Sequence, residues 1–225
     1  MKVKYGLKNV YYAVKTVSSD GEVSYGTPVS IPGAVNLSLD PEGEVTKFYA
    51  DDVVYYKTSA NNGYTGDLEI ALIPDSFLID VMGFIEDENG AIIEDASAKP
   101  NDFALIYEVE GDEKARRAVL YNITAERTST EAKTKEDNIE VATDKLSITA
   151  TAREDNNYVK AVLELTDSNE TEYDNFITAV YEPTIWSDHS STEEDDTSTV
   201  ATMTVTEINS STVEDVDEES VGNIG

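Results

Sequence analysis

The chain has no cysteine and a single histidine, His189, in 225 residues. Disulfides, thiolate nucleophiles and cysteine metal sites are therefore excluded, and most zinc sites need more ligands than one histidine supplies. No apolar run approaches the length of a membrane-spanning helix. The opening residues, MKVKYG, lack the apolar core and small-residue cleavage site of a signal peptide, so we expect synthesis without export.

Basic residues are scarce, because 16 Lys and Arg oppose 46 Asp and Glu and give a formal net charge of -30. Residues 187–225 hold 11 of these acids and no Lys or Arg, and the other 35 acids against 16 bases leave residues 1–186 with -19. This charge opposes nonspecific binding to DNA or to an anionic membrane. It is compatible with a surface past which nucleic acid slides without sticking.

The composition changes after Trp186, which predicts two domains. Residues 1–186 alternate apolar and polar side chains, and a chain with 40% hydrophobic residues and 13 Tyr can bury a core. Residues 187–225 are rich in Ser, Thr, Asp and Glu. We expect them to form an acidic extension that is flexible or contains one short strand at residues 203–208.

Strand patterns dominate the first domain. Val35, Leu37 and Leu39 alternate with polar residues, and residues 67–73 repeat the pattern before Pro74 ends the strand. Residues 103–109 and 115–125, joined by a short link that contains Gly111, predict a β-hairpin. The sequence predicts a further strand at 146–152, whereas 159–165 fits either a strand or the start of a helix. We expect Phe103, Leu105, Tyr107 and Val109 to share one face, and Val119, Tyr121 and Ile123 to share another.

Two segments have helical spacing. In residues 74–86 the apolar side chains form one stripe that should pack on a sheet, namely Phe77, Leu78, Val81, Met82 and Ile85. Asp75 or Ser76 is the expected N-cap. A second, shorter helix is predicted over residues 171–179, where Thr171 and Asp174 resemble a capping box. The predicted fold class is therefore mainly β, with one flanking α-helix and a second short helix.

A long polar stretch occupies residues 127–140, too long for a tight turn. From composition it is either a disordered surface loop or an arm that becomes ordered against a partner.

Groups that could perform chemistry are sparse. The acidic run at 193–196 lacks the spacing and glycine of a calcium loop, and no glycine-rich phosphate loop occurs. The adjacent pair Arg116 and Arg117 suggests either a charge contact with a neighbouring subunit or a solubilising surface. The many tyrosines favour half-buried β surface or interfaces. We predict no catalytic residue, no metal and no cofactor, and hence a structural or binding protein instead of an enzyme.

Several segments together carry a family resemblance: residues 5–13 (YGLKNVYYA), 64–68 (YTGDL), 117–125 (RAVLYNITA), 134–135 (TK) and 144–149 (DKLSIT). With the order of strands, helix, hairpin and polar stretch, residues 1–184 resemble the major tail proteins, or tail tube proteins, of long-tailed phages of Gram-positive bacteria. The extension after residue 186 departs from the shared pattern.

The resemblance implies a β-sandwich or barrel-type tail tube fold that assembles into stacked hexameric rings. The rings would form a conduit for DNA, in contact with a tape measure protein and tail-end proteins, within a virion assembled in the host cytoplasm. The DNA would pass without specific binding, and no part of the protein would insert into a membrane.

The long loop that contacts the neighbouring ring would be the polar stretch, including Thr128, Thr130, Lys133, Lys135, Glu136 and Asp137. Two alternatives remain at this point. One is a β-sandwich surface module of the adhesin type, and the other is a glycosidase that uses two acids.

Overall fold

The computed structural model describes residues 4–50, 52–111, 115–128 and 142–184. Contacts divide the chain into two units, Met1–Thr184 and Ile185–Gly225. The second unit lies outside the described residues, so the acidic extension and its short strand stay predictions.

The described residues form thirteen strands and two short helices. In chain order they are β1 (Lys4–Val17), β2 (Val23–Tyr25), β3 (Val29–Ser30), β4 (Ala34–Glu42), β5 (Val45–Ala50), β6 (Val53–Ser59), β7 (Gly63–Ile70), α1 (Asp75–Asp80), β8 (Ile85–Glu86), β9 (Ile92–Ile93), β10 (Phe103–Gly111), β11 (Arg116–Ala125), β12 (Asp144–Thr151), β13 (Lys160–Glu164) and α2 (Glu170–Asn175). The predicted mainly β class with two helices is confirmed. The segment at 159–165 is a strand and not the start of a helix.

Nine strands form one antiparallel sheet. Its main path runs β2-β1-β10-β11-β12-β7-β4, with β13 added to β11 and β3 added to β1. Two further pairs, β5-β6 and β8-β9, form separate two-stranded hairpins. Within the described residues the sheet does not close into a barrel, because β4 ends the path and pairs only with β7.

The long first strand is interrupted by two irregularities in its pairing with β10, between Lys4 and Leu7 and between Lys8 and Tyr11. Gly6 and Asn9 lie within them with φ of 71° and 49°. Glycine adopts this left-handed conformation without a steric penalty, and asparagine tolerates it better than most residues. The sequence therefore places its two permissive residues where the strand bulges.

The sheet separates two hydrophobic clusters. Both halves of the sheet contribute to the first, so the sheet curves around it, and α1 adds Phe77. Phe77 makes edge-to-face contacts with Tyr12 and Phe103, with ring centroids 5.1 and 5.4 Å apart. The second cluster lies against the other face of β10 and β11 and includes Phe176, just after α2.

The predicted hairpin is β10 and β11, and Phe103, Leu105, Tyr107 and Val109 share a face of β10 as expected. The expectation for β11 was wrong at one residue. Leu105 pairs with Leu120, but Phe103 pairs with Ile123, so β11 carries one extra residue and bulges. The bulge turns Ile123 into the first cluster, away from Val119 and Tyr121 in the second.

Both helices are shorter than predicted, and neither has a side-chain N-cap. α1 begins after Pro74 and α2 after Asn169, and no side chain of either residue caps the helix. Asp75 and Ser76 therefore do not have the predicted capping role, and Thr171 and Asp174 both lie inside α2. No helix among the described residues is long and apolar enough to span a membrane.

Candidate assembly surface

The hairpin formed by β5 and β6, here called the arm, exposes most of its side chains to solvent. Every described position of both strands is exposed except Ala50. Seven of these are large hydrophobic side chains, exposed to between 48% and 76%: Val45, Phe48, Tyr49, Val53, Val54, Tyr55 and Tyr56. Soluble monomers rarely leave so much contiguous apolar surface uncovered, so the arm has the character of an interaction surface.

The arm is continuous with the main sheet. It leaves the sheet at the end of β4 and returns at the start of β7, two paired neighbours. Two backbone hydrogen bonds join the segments on either side of its base: Ala60 N–H donates to the Glu44 carbonyl (3.0 Å), and Asn62 N–H donates to the Glu42 carbonyl (2.9 Å). The arm therefore projects from an ordered base.

The pairing register assigns the side chains of the arm to two faces. Phe48 lies opposite Tyr56 on one face, flanked by the pair Thr46 and Thr58. Lys47 lies opposite Lys57 on the other face, beside Val45. A register shift follows Phe48, where β6 contributes the extra residue. Before this shift, one face carries the aromatic pair Phe48 and Tyr56, and the other carries the two lysines.

A second surface, made of exposed and half-buried side chains, is wholly polar and lies on the main sheet, across β4, β7 and β12. Its nine side chains form three cross-strand rows, which we call the polar face: Asn36, Glu69 and Lys145; Ser38, Asp67 and Ser147; Asp40, Thr65 and Thr149. The intervening residues of these strands face the first core cluster, including Leu68, Leu146 and Ile148. This alternation is typical of a sheet with one buried and one solvated side.

Hydrogen bonds and an ion pair organise the polar face. Asp67 accepts a hydrogen bond from Ser147 Oγ at 2.8 Å and pairs with Lys145 Nζ at 2.8 Å. The pKa of the Asp67 carboxyl is lowered, chiefly by the contact with Lys145 and next by the hydrogen bond from Ser147. The Asp67 side chain is therefore ionised at neutral pH. The face has three carboxylates and one ammonium, and that ammonium is already paired.

An apolar groove marks the place where the sheet fails to close. Leu7 of β1, Leu37 and Leu39 of β4, and Tyr107 and Val109 of β10 line a cavity of about 450 Å³. One edge of β4 has no strand partner among the described residues. An unpaired edge is a template for another strand.

Three buried cations stabilise the described part of the chain. Lys15, with a side chain 4% exposed, contacts Asn122 at 2.7 Å, Glu154 at 2.8 Å and Asp102 at 3.3 Å. The Lys15 contact is the main cause of a lowered pKa at Glu154. These contacts connect β1, β11 and the loops that precede β10 and β13.

Arg117 is the second buried cation. Its Nε donates to Glu108 at 3.0 Å, and its guanidinium lies 3.9 Å from the centre of the Tyr173 ring and contacts the Tyr173 carbonyl. Its neighbour Arg116 pairs with Glu164 at 2.8 Å. The two arginines therefore make charge contacts within the chain, and Arg117 attaches α2 to the sheet.

Arg153 forms a clasp at the end of the described chain. Its guanidinium donates to both oxygens of Glu182 at 2.6 and 2.8 Å and pairs with Asp155 at 2.6 Å. The Arg153 hydrogen bond is the main cause of the lowered pKa of Asp155. Tyr121 Oη also donates to the carbonyl of Tyr181 at 2.8 Å, so the segment before residue 184 is held at two points.

The residues predicted to pack α1 on the sheet have different positions. Phe77, Val81 and Met82 are buried in the first cluster, and Leu78 packs against it. The prediction for Ile85 is wrong, because α1 ends at Asp80 and Ile85 lies in β8 with 54% exposure. The helical spacing continued past the true end of the helix.

Of the predicted inter-ring loop at 127–140, only Arg127 and Thr128 are described; Arg127 is exposed and Thr128 is half-buried. Thr130, Lys133, Lys135, Glu136 and Asp137 lie outside the described residues, as do His189 and the acidic run at 193–196. Sequence reasoning assigned β character to the arm but missed its exposure. The available signal was apolar and aromatic residues on both faces of residues 45–56, which a half-buried strand does not need.

No group of three or more His, Asp or Glu side chains among the described residues could hold a metal ion. The prominent features are instead an apolar arm, an open sheet edge and a polar face. These features are typical of a β-rich structural protein that presents surfaces for association.

Comparison with known proteins gives the family. A family model described as phage tail tube protein matches residues 1–185, and the chain belongs to that family. No curated protein matches the chain. The resemblance inferred from the sequence is thereby confirmed. The protein is a structural component of the phage tail, and its family implies self-assembly into a tube.

Proposed function

We propose that this protein forms the tail tube of a long-tailed phage as hexameric rings, which stack into a hollow conduit for the genome. The observation that carries the proposal is the arm, with seven large hydrophobic side chains exposed to 48% or more on an ordered base. Such a surface requires a partner, and in a homopolymer the partner is another copy of the same chain.

The open edge of β4 supplies a route to ring closure. A strand from the neighbouring subunit that pairs with β4 would satisfy its free backbone groups and cover the apolar groove beside Leu37 and Leu39. Repetition of one such contact around an axis closes a ring. The arm is then available for contacts between rings.

The polar face suits the lumen. It offers three carboxylates, and its single ammonium, Lys145, is occupied by Asp67. Free bases in a lumen would contact phosphates and retain the DNA, whereas this surface repels them. During assembly the same lumen would hold the tape measure protein, and tail-end proteins would terminate the tube.

The predicted loop at 127–140 remains a second candidate for the contact between rings. The arm and this loop make separate predictions, since each can be altered without the other.

Electron microscopy of the purified full chain, alone and co-expressed with the tape measure protein, tests the proposal. We expect hollow tubes of stacked six-fold rings. A surface module of the adhesin type would instead remain monomeric under both conditions. Phage tails whose tube contains no copy of this chain would overturn the assignment.

A further inference from the structure

The cationic face of the arm has no counter-charge among the described residues. In the described residues, Lys8, Lys15, Lys145, Arg116, Arg117, Arg127 and Arg153 each pair with a carboxylate. Lys47 and Lys57 are exposed and, like Lys99 and Lys160, make no ion pair with any described residue. Of these four lysines, only Lys47 and Lys57 belong to one pair of strands.

The two lysines lie directly opposite each other on neighbouring strands. Like charges in this position destabilise a hairpin, so the arrangement costs stability in the isolated subunit. An anionic surface placed against this face would convert the repulsion into attraction. Val45 on the same face indicates that the complementary surface is partly apolar.

A surface of that kind lies elsewhere on the same chain, in the hairpin of β8 and β9. Ile85 and Ile93 are directly opposite each other and are exposed to 54% and 48%. Residues 85–95, which we call the acidic hairpin, also contain Glu86, Asp87, Glu88, Glu94 and Asp95 and no base. The pair of exposed isoleucines distinguishes this segment from a merely solvated acidic run.

Hydrogen bonds within the subunit fix the shape of the acidic hairpin. Asp87 accepts from the backbone N–H groups of Asn89 (2.9 Å) and Ala91 (2.8 Å) and closes the turn. Glu94 lies 3.3 Å from Arg127. Glu86 and Glu88 are exposed and accept no hydrogen bond from any described residue, so their carboxylates are available to a partner.

We propose that the lysine face of the arm docks on the acidic hairpin of a second copy of this chain. The inference rests on the proposed function, since it names the partner surface of an arm assumed to connect subunits. The two surfaces differ, so the contact is head-to-tail, and such contacts propagate as rings or filaments. Charge complementarity would set the register between copies.

Reciprocal charge reversal tests the pairing. In K47E/K57E both surfaces are acidic, and in E86K/E88K both are basic, so each variant alone should need at least about tenfold more protein to assemble. Mixed in equal amounts they should assemble near the wild-type concentration. The reversed arm then meets the reversed hairpin, and the wild-type arm meets the wild-type hairpin.

Control variants separate this contact from general charge effects. D20K/E22K changes the net charge as much as E86K/E88K does, in another exposed turn, and should assemble like the wild type. Circular dichroism and urea unfolding should show that all variants are folded. The wild-type contact should also weaken between about 0.05 and 0.5 M salt because exposed charges are screened.

Normal assembly by K47E/K57E or by E86K/E88K alone would overturn the pairing and leave the tube function intact. Loss of assembly in both without recovery in the mixture would also overturn it. If the wild-type chain forms no tube either alone or with the tape measure protein, and is missing from phage tails, the proposed function itself fails.

Discussion

Removing the aromatic pair of the arm should separate assembly from folding. Phe48 and Tyr56 are 59% and 61% exposed and lie opposite each other on the face away from the lysines. In the double variant Phe48→Ala/Tyr56→Ala, the subunit loses one cross-strand pair, which contributes about 0.2–1 kcal/mol. Because neither side chain lies in a core cluster, the free energy of unfolding should fall by no more than about 1 kcal/mol.

The effect on assembly should be larger. Full burial of an aromatic side chain contributes about 1.5–3 kcal/mol, and roughly 60% of each ring is available to be buried, so the two together contribute about 2–4 kcal/mol. At 1.4 kcal/mol per factor of ten, the protein concentration needed for tubes should rise roughly 30- to 700-fold. Contacts that bury only part of this area would give the lower value.

Sedimentation of tubes over a concentration series measures assembly, and urea unfolding of the dissociated subunit measures stability. Leu72→Ala is the matched control, because Leu72 is 72% exposed but lies outside the arm. A change in assembly of less than about threefold in the double variant would refute the role of the arm. So would an equal effect from Leu72→Ala.

Five further predictions concern the fold and the remaining segments. Phe77→Ala should lower the free energy of unfolding by about 4 kcal/mol, since it leaves a cavity between two aromatic rings; a loss below 1 kcal/mol in urea unfolding would contradict this packing. Arg117→Ala should lower the free energy of unfolding by about 3 kcal/mol, because Glu108 stays buried without its cation. The double variant Arg117→Met/Glu108→Leu should recover most of this stability. An equal loss of stability in both variants would show that the unpaired charge is not the cause. Asp155 has a lowered pKa when folded, so its contribution is present above its ordinary pKa of about 4 and disappears as the pH falls through the folded value. Asp155→Asn should therefore reduce the difference in the free energy of unfolding between pH 6 and pH 3. An unchanged difference would show that the Arg153 clasp does not contribute to this pH dependence. Deletion of residues 128–137 should leave a folded subunit that fails to polymerise, and truncation after Trp186 should leave tubes intact in electron micrographs. Tubes from the deletion variant would show that the loop is not needed for assembly. Loss of tubes after the truncation would show that the extension is needed.

Local pattern predicted the strands well where one face of the sheet is buried. The alternation in β4, β7 and β12 gave both their existence and their inward side chains, because a two-residue period corresponds directly to a core face and a solvent face. The β10 and β11 hairpin was equally visible. The bulge that turns Ile123 to the opposite cluster could not be predicted, because one inserted residue does not change the composition of the strand.

Tertiary context decided what local pattern left open. Helical spacing continued to Ile85, yet α1 ends at Asp80, and Gly83 with φ of 73° interrupts the pattern. Tyr12 and Tyr55 are similar in sequence, but the first is buried in the core and the second is 76% exposed on the arm. Only the pairing of distant strands distinguishes a buried tyrosine of the core from an exposed tyrosine of the arm.

Cryo-electron microscopy of phage tails that carry this protein tests the central claim most directly. We predict a tube wall built from six copies per ring, with the aromatic and lysine faces of the arm buried against neighbouring copies and the polar face towards the lumen. A wall in which the arm stays exposed to solvent, or one built from a different chain, would contradict this account.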